Sequence, residues 1–351
     1  MDFTLSDEQR MTAEVTAALL ADRCTGADLR RLMDSGAALD PVRWRALVEM
    51  GLPAAMVPES LGGLGLGEVD LTPVAEQCGF AALPEPLVEL AGVAAPLLAA
   101  LDHPAARAWA GRIAAGEAMA AVGHSCQPFV AGADTADVLV LCRPGEILLL
   151  NAETVTLGRQ PSIDPFHRLF AVAFDGGDAI AAARGPEADR LAALALDRGA
   201  LFAAAQGIGL AQRAVDLSAA YAKARVQFGK PIGANQAVKH HLASCQVKIE
   251  FARPVVLAAA AQIGQQDIYS RARVSHAKLA ALAAADLAGR TAIQVHGAMG
   301  YSWATDVHVY LKRVLALTGA WGDEAFHRRR VSARIKGRAL DPGQVFAVET
   351  A

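Results

Sequence analysis

Thr318-Gly-Ala-Trp-Gly-Asp-Glu-Ala-Phe-His327 closes a C-terminal half with helical patterning that also carries Arg225-Val-Gln-Phe-Gly229 and Gln294-Val-His-Gly-Ala-Met-Gly300. In the first stretch Trp321 precedes Gly322 and Asp323, and Asp323 reads as a turn or helix-capping aspartate. An indole cannot take a proton from a carbon acid, so Trp321 is chemically inert as a base. Arg225 sits where a long helix ends: a cation, an amide and a ring, then Gly229 and Pro231, which stop the chain from winding on. Standing alone, that segment is an ordinary helix end, with Arg225 answering the negative pole of the dipole. The Gln294 segment alone is a helix-ending loop whose glycines permit close backbone approach.

Working outward, 351 residues exceed one typical domain and predict two or three compact units. Composition is 53% hydrophobic and 20% charged but only 5% aromatic, and the apolar share is inflated by alanine, which favours closely packed helices over sheets. A net charge of -3 with a pI near 6.3 leaves no electrostatic footprint for nucleic acid or an anionic membrane. Arg328-Arg329-Arg330 is local and reads as a solvated helix end or a subunit contact. The five cysteines, Cys24, Cys78, Cys126, Cys142 and Cys245, lack CxxC spacing and indicate neither a disulfide framework nor a zinc site. The N-terminus has no basic flank and apolar stretch, and the uncharged run from Ala118 to Ala133 falls short of the ~18 residues a span needs. A cytosolic protein without a membrane span is the expectation.

Three regions follow from the patterning. Residues 1-116 read as a helical domain, with Ser6-x-x-Gln9 as a capping box; within it Gly62-Gly-Leu-Gly-Leu-Gly67 reads as a turn, because its spacing is not GxGxxG. Residues 117-188 read as a small β domain: Asp137–Cys142 and Glu146–Asn151 form a hairpin around Arg143-Pro-Gly145, and Leu169–Phe174 is a further strand. Residues 189-351 return to helices. Ile208, Ala211, Val215, Ala219 and Ala222 form one stripe, opposite Arg213, Asp216 and Lys223. Val238, Leu242, Cys245, Ile249 and Ala252 form the seam of an antiparallel bundle, and Pro254 is expected to kink or end that helix. Leu279 to Ala288 is apolar nearly all round, as for a helix buried in a bundle or a subunit interface.

With the three segments in this order, around a β unit set between helices, the chain resembles the acyl-CoA dehydrogenase family of flavoproteins. The resemblance implies a mainly α fold: an N-terminal helical domain, an abbreviated β-barrel middle domain and a C-terminal four-helix bundle. It implies FAD as cofactor, with Arg225 on the pyrophosphate through planar charge-assisted pairing. Gln227, Phe228 and Gln236 join it in the family pattern. Gln294, Gly297 and Ala298 match the family's Gln-x-x-Gly-Gly turn, with Ala298 in place of the second glycine; that turn approaches the adenosine-diphosphate part of FAD across a subunit interface. Asp323 matches a threonine that points toward cofactor. The family's Thr-Glu-x-x-x-Gly-Ser-Asp and Trp-Ile-Thr/Ser flavin contacts are missing. Val122-Gly-His-Ser-Cys126 and Ala131-Gly-Ala-Asp134 stand in their place.

The family reaction removes an α-proton from an acyl-CoA thioester while hydride leaves the β-carbon for the flavin, and it needs a carboxylate near Cα. Most members place a glutamate where this chain has Trp321; a minority use an earlier helix position that here is Gly199. No catalytic residue is therefore expected at either place. Asp323, Glu324 and Asp197 are the candidates for a displaced base, with Asp323 a weak one; Asp197 is two residues from Gly199 and so about 200° round the helix. His240 and His241 point about 100° apart on a helix, neither a metal clamp nor a relay, and no metal is expected. Loss of the base, together with the missing flavin contacts, resembles the accessory subunit of heterotetrameric (α2β2) actinobacterial acyl-CoA dehydrogenases, several of which act on steroid side-chain thioesters. The expected partners are a homologous subunit that supplies the base, an acyl-CoA substrate and an acceptor such as electron-transfer flavoprotein. Two alternatives stand beside this reading: a self-sufficient homotetramer using Asp323, and a non-redox descendant that binds or hydrates a thioester.

Overall fold

The computed structural model describes residues 4–337. The N-terminal part is helical: α1 (Asp7–Arg23), α2 (Gly26–Ser35), α3 (Pro41–Glu49), α4 (Glu68–Phe80), then α5 (Leu87–Glu89), a π-helical turn (Leu90–Ala94) and α6 (Ala95–Ala100), and α7 (Pro104–Ala114). Both halves of the Ser6–Gln9 capping box form. The glycine-rich loop is a packed turn rather than a phosphate cradle, for its amides are spent on its own chain: Gly65 N donates to Val57 O at 2.9 Å and Leu66 N to Ala55 O at 2.9 Å. Arg43 on α3 makes a two-pronged ion pair with Glu85, at 2.8 and 2.7 Å, with both side chains fully buried.

Seven strands follow: β1 (Ala120–His124), β2 (Val130–Ala131), β3 (Val138–Arg143), β4 (Glu146–Asn151), β5 (Val155–Gln160), β6 (Leu169–Phe174) and β7 (Ile180–Arg184). They make a four-stranded sheet, β1-β3-β4-β7, and a three-stranded sheet, β2-β6-β5. The β3–β4 hairpin turns at Pro144-Gly145, pairing Arg143 with Glu146. Its strands read as unbroken apolar runs because both faces are covered: Val138, Val140, Ile147 and Leu149 join the main core, while Leu139, Leu141, Leu148 and Leu150 meet Phe170 of the second sheet. The sequence reading missed β1, β2, β5 and β7. β1 and β7 are alanine-rich and carry no period-two contrast, and β2 is a two-residue pairing, so these three are recruited by their partners rather than by intrinsic propensity, whereas β5 does alternate, with Val155 and Leu157 packed on the second core cluster.

Five helices complete the described chain: α8 (Gly185–Ala224), α9 (Gln236–Ala260), α10 (Ile268–His296), α11 (Val307–Gly319) and α12 (Glu324–Gly337); a short hairpin, β8 (Val226–Gln227) and β9 (Lys230–Pro231), links α8 to α9. By length and composition α8 could cross a membrane, but 83% of its most apolar window is buried in the fold. The stripe from Ile208 to Ala222 faces inward as read, with Asp216 and Lys223 exposed. Pro254 does not end α9, which runs on to Ala260. Val256, Ala259 and Ala260, beyond the proline, are all buried, and this packing offsets the hydrogen bond that Pro254 cannot donate. α4 and α8 touch backbone to backbone at Gly79 and Gly209, where a Cβ on Gly209 would lie 1.9 Å from Glu76 O.

Candidate functional site

The turn between α11 and α12 holds Trp321 in the left-handed region, at φ 56°, with its side chain buried. Its indole lies flat against Gly199 in the middle of α8: a Cβ built there would sit 2.1 Å from Trp321 Cδ2 and 2.4 Å from Cε2. The two positions singled out as lacking an acid thus face each other, and the indole uses the room that only glycine leaves. A side chain at one place excludes the bulk at the other.

Three successive carbonyls fix this turn from below. Lys278 of α10, almost fully buried, donates Nζ to Ala320 O and, at 2.5 Å, to Gly322 O. His327 of α12 places Nε2 3.0 Å from Trp321 O and Nδ1 3.0 Å from Ser275 Oγ. Above, Trp321 N donates to Gln127 Oε1 at 2.8 Å. Desolvation pulls the Lys278 ammonium down to about 7, opposed by Cys126 and Asp323, and pulls the His327 imidazole down to about 4. Sequence reasoning missed Lys278, His327 and Gln127. Their only signal is a polar group on a helix face that packs inward.

None of the displaced acids stands free. Asp323 is exposed and caps α12, accepting from Phe326 N at 2.7 Å. Glu324 is exposed and pairs with Arg328 at 2.6 Å. Asp197 is buried against Arg330 at 2.6 Å and Arg271 at 3.9 Å; burial pushes its carboxyl up against the pull of both arginines. His124, in the segment that replaces the missing flavin-contact motif, spends both nitrogens internally, Nδ1 accepting from Cys126 N at 3.1 Å and Nε2 lying 3.2 Å from Ala192 O. Its ring is 6.4 Å from that of Trp321.

The cofactor candidates gather elsewhere, on an exposed face. Arg225, Gln227, Gln236, Gln294, Gly297 and Ala298 are all exposed, and Phe228, at φ 52°, is 100% exposed. Tyr221 stacks on His296 at 4.2 Å, which holds the Arg225 hairpin beside the Gln294 turn. Among the described residues no carboxylate pairs with Arg225. A free guanidinium, three amides, an open glycine turn and an uncovered ring fit the diphosphate and adenosine end of FAD. Near Trp321, the turn's backbone, the His327 imidazole and Gln127 are engaged with one another. Asp323 does not join the exposed face: it lies beside Lys278, which precedes Gln294 on α10 by about 24 Å of helix. His240 and His241 are exposed, as read. No group of three metal-ligating side chains occurs among the described residues.

A cavity of about 300 Å³ opens beside the turn, between α11, the first strand and the loop after β5, and Trp321 forms part of its wall. Glu89 and His167 also line it, and no local pattern singles out either.

The architecture, helices on either side of a two-sheet β unit, is that of an acyl-CoA dehydrogenase. The family descriptions "Acyl-CoA dehydrogenase, N-terminal domain" and "Acyl-CoA dehydrogenase, C-terminal domain" match residues 6–117 and 190–336. Acyl-CoA dehydrogenase IpdE2 of Mycobacterium tuberculosis is 33% identical over 313 residues, 88% of this chain and 92% of that protein. The chain belongs to the acyl-CoA dehydrogenase family, whose members are FAD-dependent oxidoreductases. Among solved structures, the ChsE4-ChsE5 complex from Mycobacterium tuberculosis superposes with a TM-score of 0.85 at 22% identity, covering 97% of this chain and all of the matched one. The Tcur3481-Tcur3483 steroid ACAD G363A variant gives 0.84 at 23% identity, covering 95% and 99%.

Proposed function

We propose that this chain is the base-lacking component of a two-chain acyl-CoA dehydrogenase, completing an FAD site whose carboxylate base and isoalloxazine cradle come from a homologous partner in an α2β2 assembly. The observation that carries the reading is the contact of Trp321 with Gly199, which removes a proton acceptor from both positions at once. FAD, when bound, supplies the acceptor for the β-hydride. The work of this chain is to hold the nucleotide end. Arg225 pairs with the pyrophosphate, Gln227, Gln236 and Gln294 supply uncharged hydrogen bonds, Gly297 and Ala298 let the backbone approach, and Phe228 offers a ring face. Two related structures, the ChsE4-ChsE5 complex and the Tcur3481-Tcur3483 steroid enzyme, are themselves pairs of chains, which supports both the partnership and a steroid-type acyl group. An acceptor of the electron-transfer flavoprotein kind would take up the electrons that FAD, when bound, receives.

Expression alone and together with a homologous chain that bears the acid tests the proposal. Co-expression is expected to give a yellow assembly that desaturates acyl-CoA, and solo expression a chain with little flavin and no turnover. If the isolated chain desaturates an acyl-CoA, and substitution of one of its own acids abolishes the rate, the self-sufficient reading replaces this one. A colourless product with every candidate partner leaves only the non-redox reading.

A further inference from the structure

We infer that a second cleft, between α1 and α4 on one side and α8 and α11 on the other, binds a small monocarboxylate with a short apolar body, and that Arg213 and Tyr310 receive the carboxylate. The cleft has a volume of about 210 Å³ and shares no lining residue with the cavity beside Trp321. The inference concerns binding alone and stands whether or not a partner supplies the base.

Charge decides the sign of the ligand. The lining includes one cation, Arg213 of α8, and one carboxylate, Asp306. Asp306 is already occupied: it is ion-paired with Arg30 of α2 and rests on the first turn of that helix, where a Cβ on Gly26 would lie 1.8 Å from its Oδ2. The cation and the positive pole of α2 together offset its charge. Arg213 meets neutral groups among the described residues, with its guanidinium carbon 5.2 Å from the centre of the Phe80 ring and a hydrogen bond to the Tyr310 hydroxyl. The cleft is therefore left with an excess of positive charge, which favours an anion and repels a cation.

Donor chemistry narrows the class further. Tyr310 is 5% exposed, and burial pushes its hydroxyl up in pKa against the opposing pull of Arg213, so the group stays protonated. Its oxygen accepts from Arg213, and among the described residues its proton has no acceptor. Gln77 of α4, half-buried on the same cleft, adds an amide that makes no side-chain hydrogen bond among the described residues. A carboxylate can take a charge-assisted bond from the guanidinium on one oxygen and the Tyr310 proton on the other. A neutral amide of the same size loses the charge-assisted part.

The rest of the lining limits the body of the ligand. Ala17, Leu20, Phe80 and Leu217 are apolar, and burial pushes the Cys24 thiol up to about 12, so that it too is uncharged. The volume equals about seven water-sized groups, room for a carboxylate and a single ring. A phosphate dianion would bring two charges to one free cation and leave these apolar walls without a partner.

Calorimetric titration of the protein, in whatever assembly it is isolated, tests this with benzoate and benzamide, which share one ring and differ in charge. Benzoate is expected to bind saturably and at least about tenfold more tightly than benzamide. Arg213→Met should bring the two ligands to within about twofold of each other, Tyr310→Phe should weaken benzoate several-fold, and Ala17→Phe should abolish both by filling the apolar end. Lys223→Met, which removes an exposed cation from the same helix, should leave both affinities unchanged. Each variant is verified as folded by circular dichroism. Equal affinity of the folded wild type for both ligands overturns the assignment, as does absence of saturable binding, a preference for benzoate that survives Arg213→Met, or its loss in Lys223→Met. Should Arg213→Met fail to fold, benzoate binding that is unchanged in Tyr310→Phe or persists in Ala17→Phe overturns it instead.

Discussion

At the scale of single residues, the contact of Trp321 with Gly199 couples the two places where the sequence comparison looks for an acid. The Gly199→Ala methyl must enter the Trp321 ring, and overpacking of this kind typically costs about 1–3 kcal/mol. Trp321→Ala alone leaves a void and should cost about 3–5 kcal/mol. In the double variant the methyl enters that void, so the two losses should fall short of additivity by at least about 1 kcal/mol in urea unfolding. Additive losses would contradict the contact. His327 gives a pH signature with a definite sign. Its imidazole binds a proton at about 4 in the fold and near 6.5 when unfolded, so between those values the unfolded chain holds more protons and stability rises with pH. Acidification from 6.5 to 4 should therefore remove up to about 3 kcal/mol through this group. His327→Gln should flatten that part of the profile, read from urea midpoints at pH 4.5 and 7; an unchanged slope would mean that the ring is not held neutral.

Element by element, the same reasoning separates glycines that are required from those that are not. Gly209 lets α8 touch α4, and Gly209→Ala must drive the helices apart, at about 1–3 kcal/mol. Gly111 in α7 has nothing within 4 Å of an added Cβ, so Gly111→Ala should stabilise by about 0.5–1 kcal/mol. Opposite signs in thermal unfolding are the expected result, and a loss at both positions would sink the distinction. Such contacts mark the limit of what sequence alone can disclose. The capping box at Ser6, the hairpin at Pro144-Gly145 and the inward stripe of α8 were legible because each signal lies within a few neighbouring residues. The alanine-rich strands β1 and β7 were not, because their partners rather than their side chains recruit them. Pro254 shows the same limit: of a kink or an end, the end does not occur, because burial of Val256 and Ala259 beyond it carries the helix on. The site divided likewise. The inert character of Trp321 could be read, whereas its seat on Gly199, and the Lys278 and His327 that pin it, depend on helices far apart in the chain.

For the whole molecule, one region carries the wedge and another presents the exposed face proposed to hold the nucleotide. Phe228 at 100% exposure, with exposed Val226, presents apolar surface in the same hairpin as Arg225, which pairs with no carboxylate among the described residues, an arrangement that an isolated chain gains nothing by keeping. If these groups serve FAD in an assembly, their loss must affect flavin retention and leave the fold alone. Arg225→Ala with Phe228→Ala is accordingly expected to shift the melting temperature of the solo chain by no more than about 1 °C, as for surface substitutions generally. In the co-expressed assembly the same pair of changes should lower bound flavin several-fold, because a charge-assisted pair to a diphosphate contributes about 1.5–3 kcal/mol. The ratio of visible to ultraviolet absorbance after gel filtration reads the first effect, and the elution volume shows whether the assembly survives. Full flavin content in an intact assembly of the double variant would remove the exposed face from the cofactor site and leave the wedge at Trp321 without a flavin to complement.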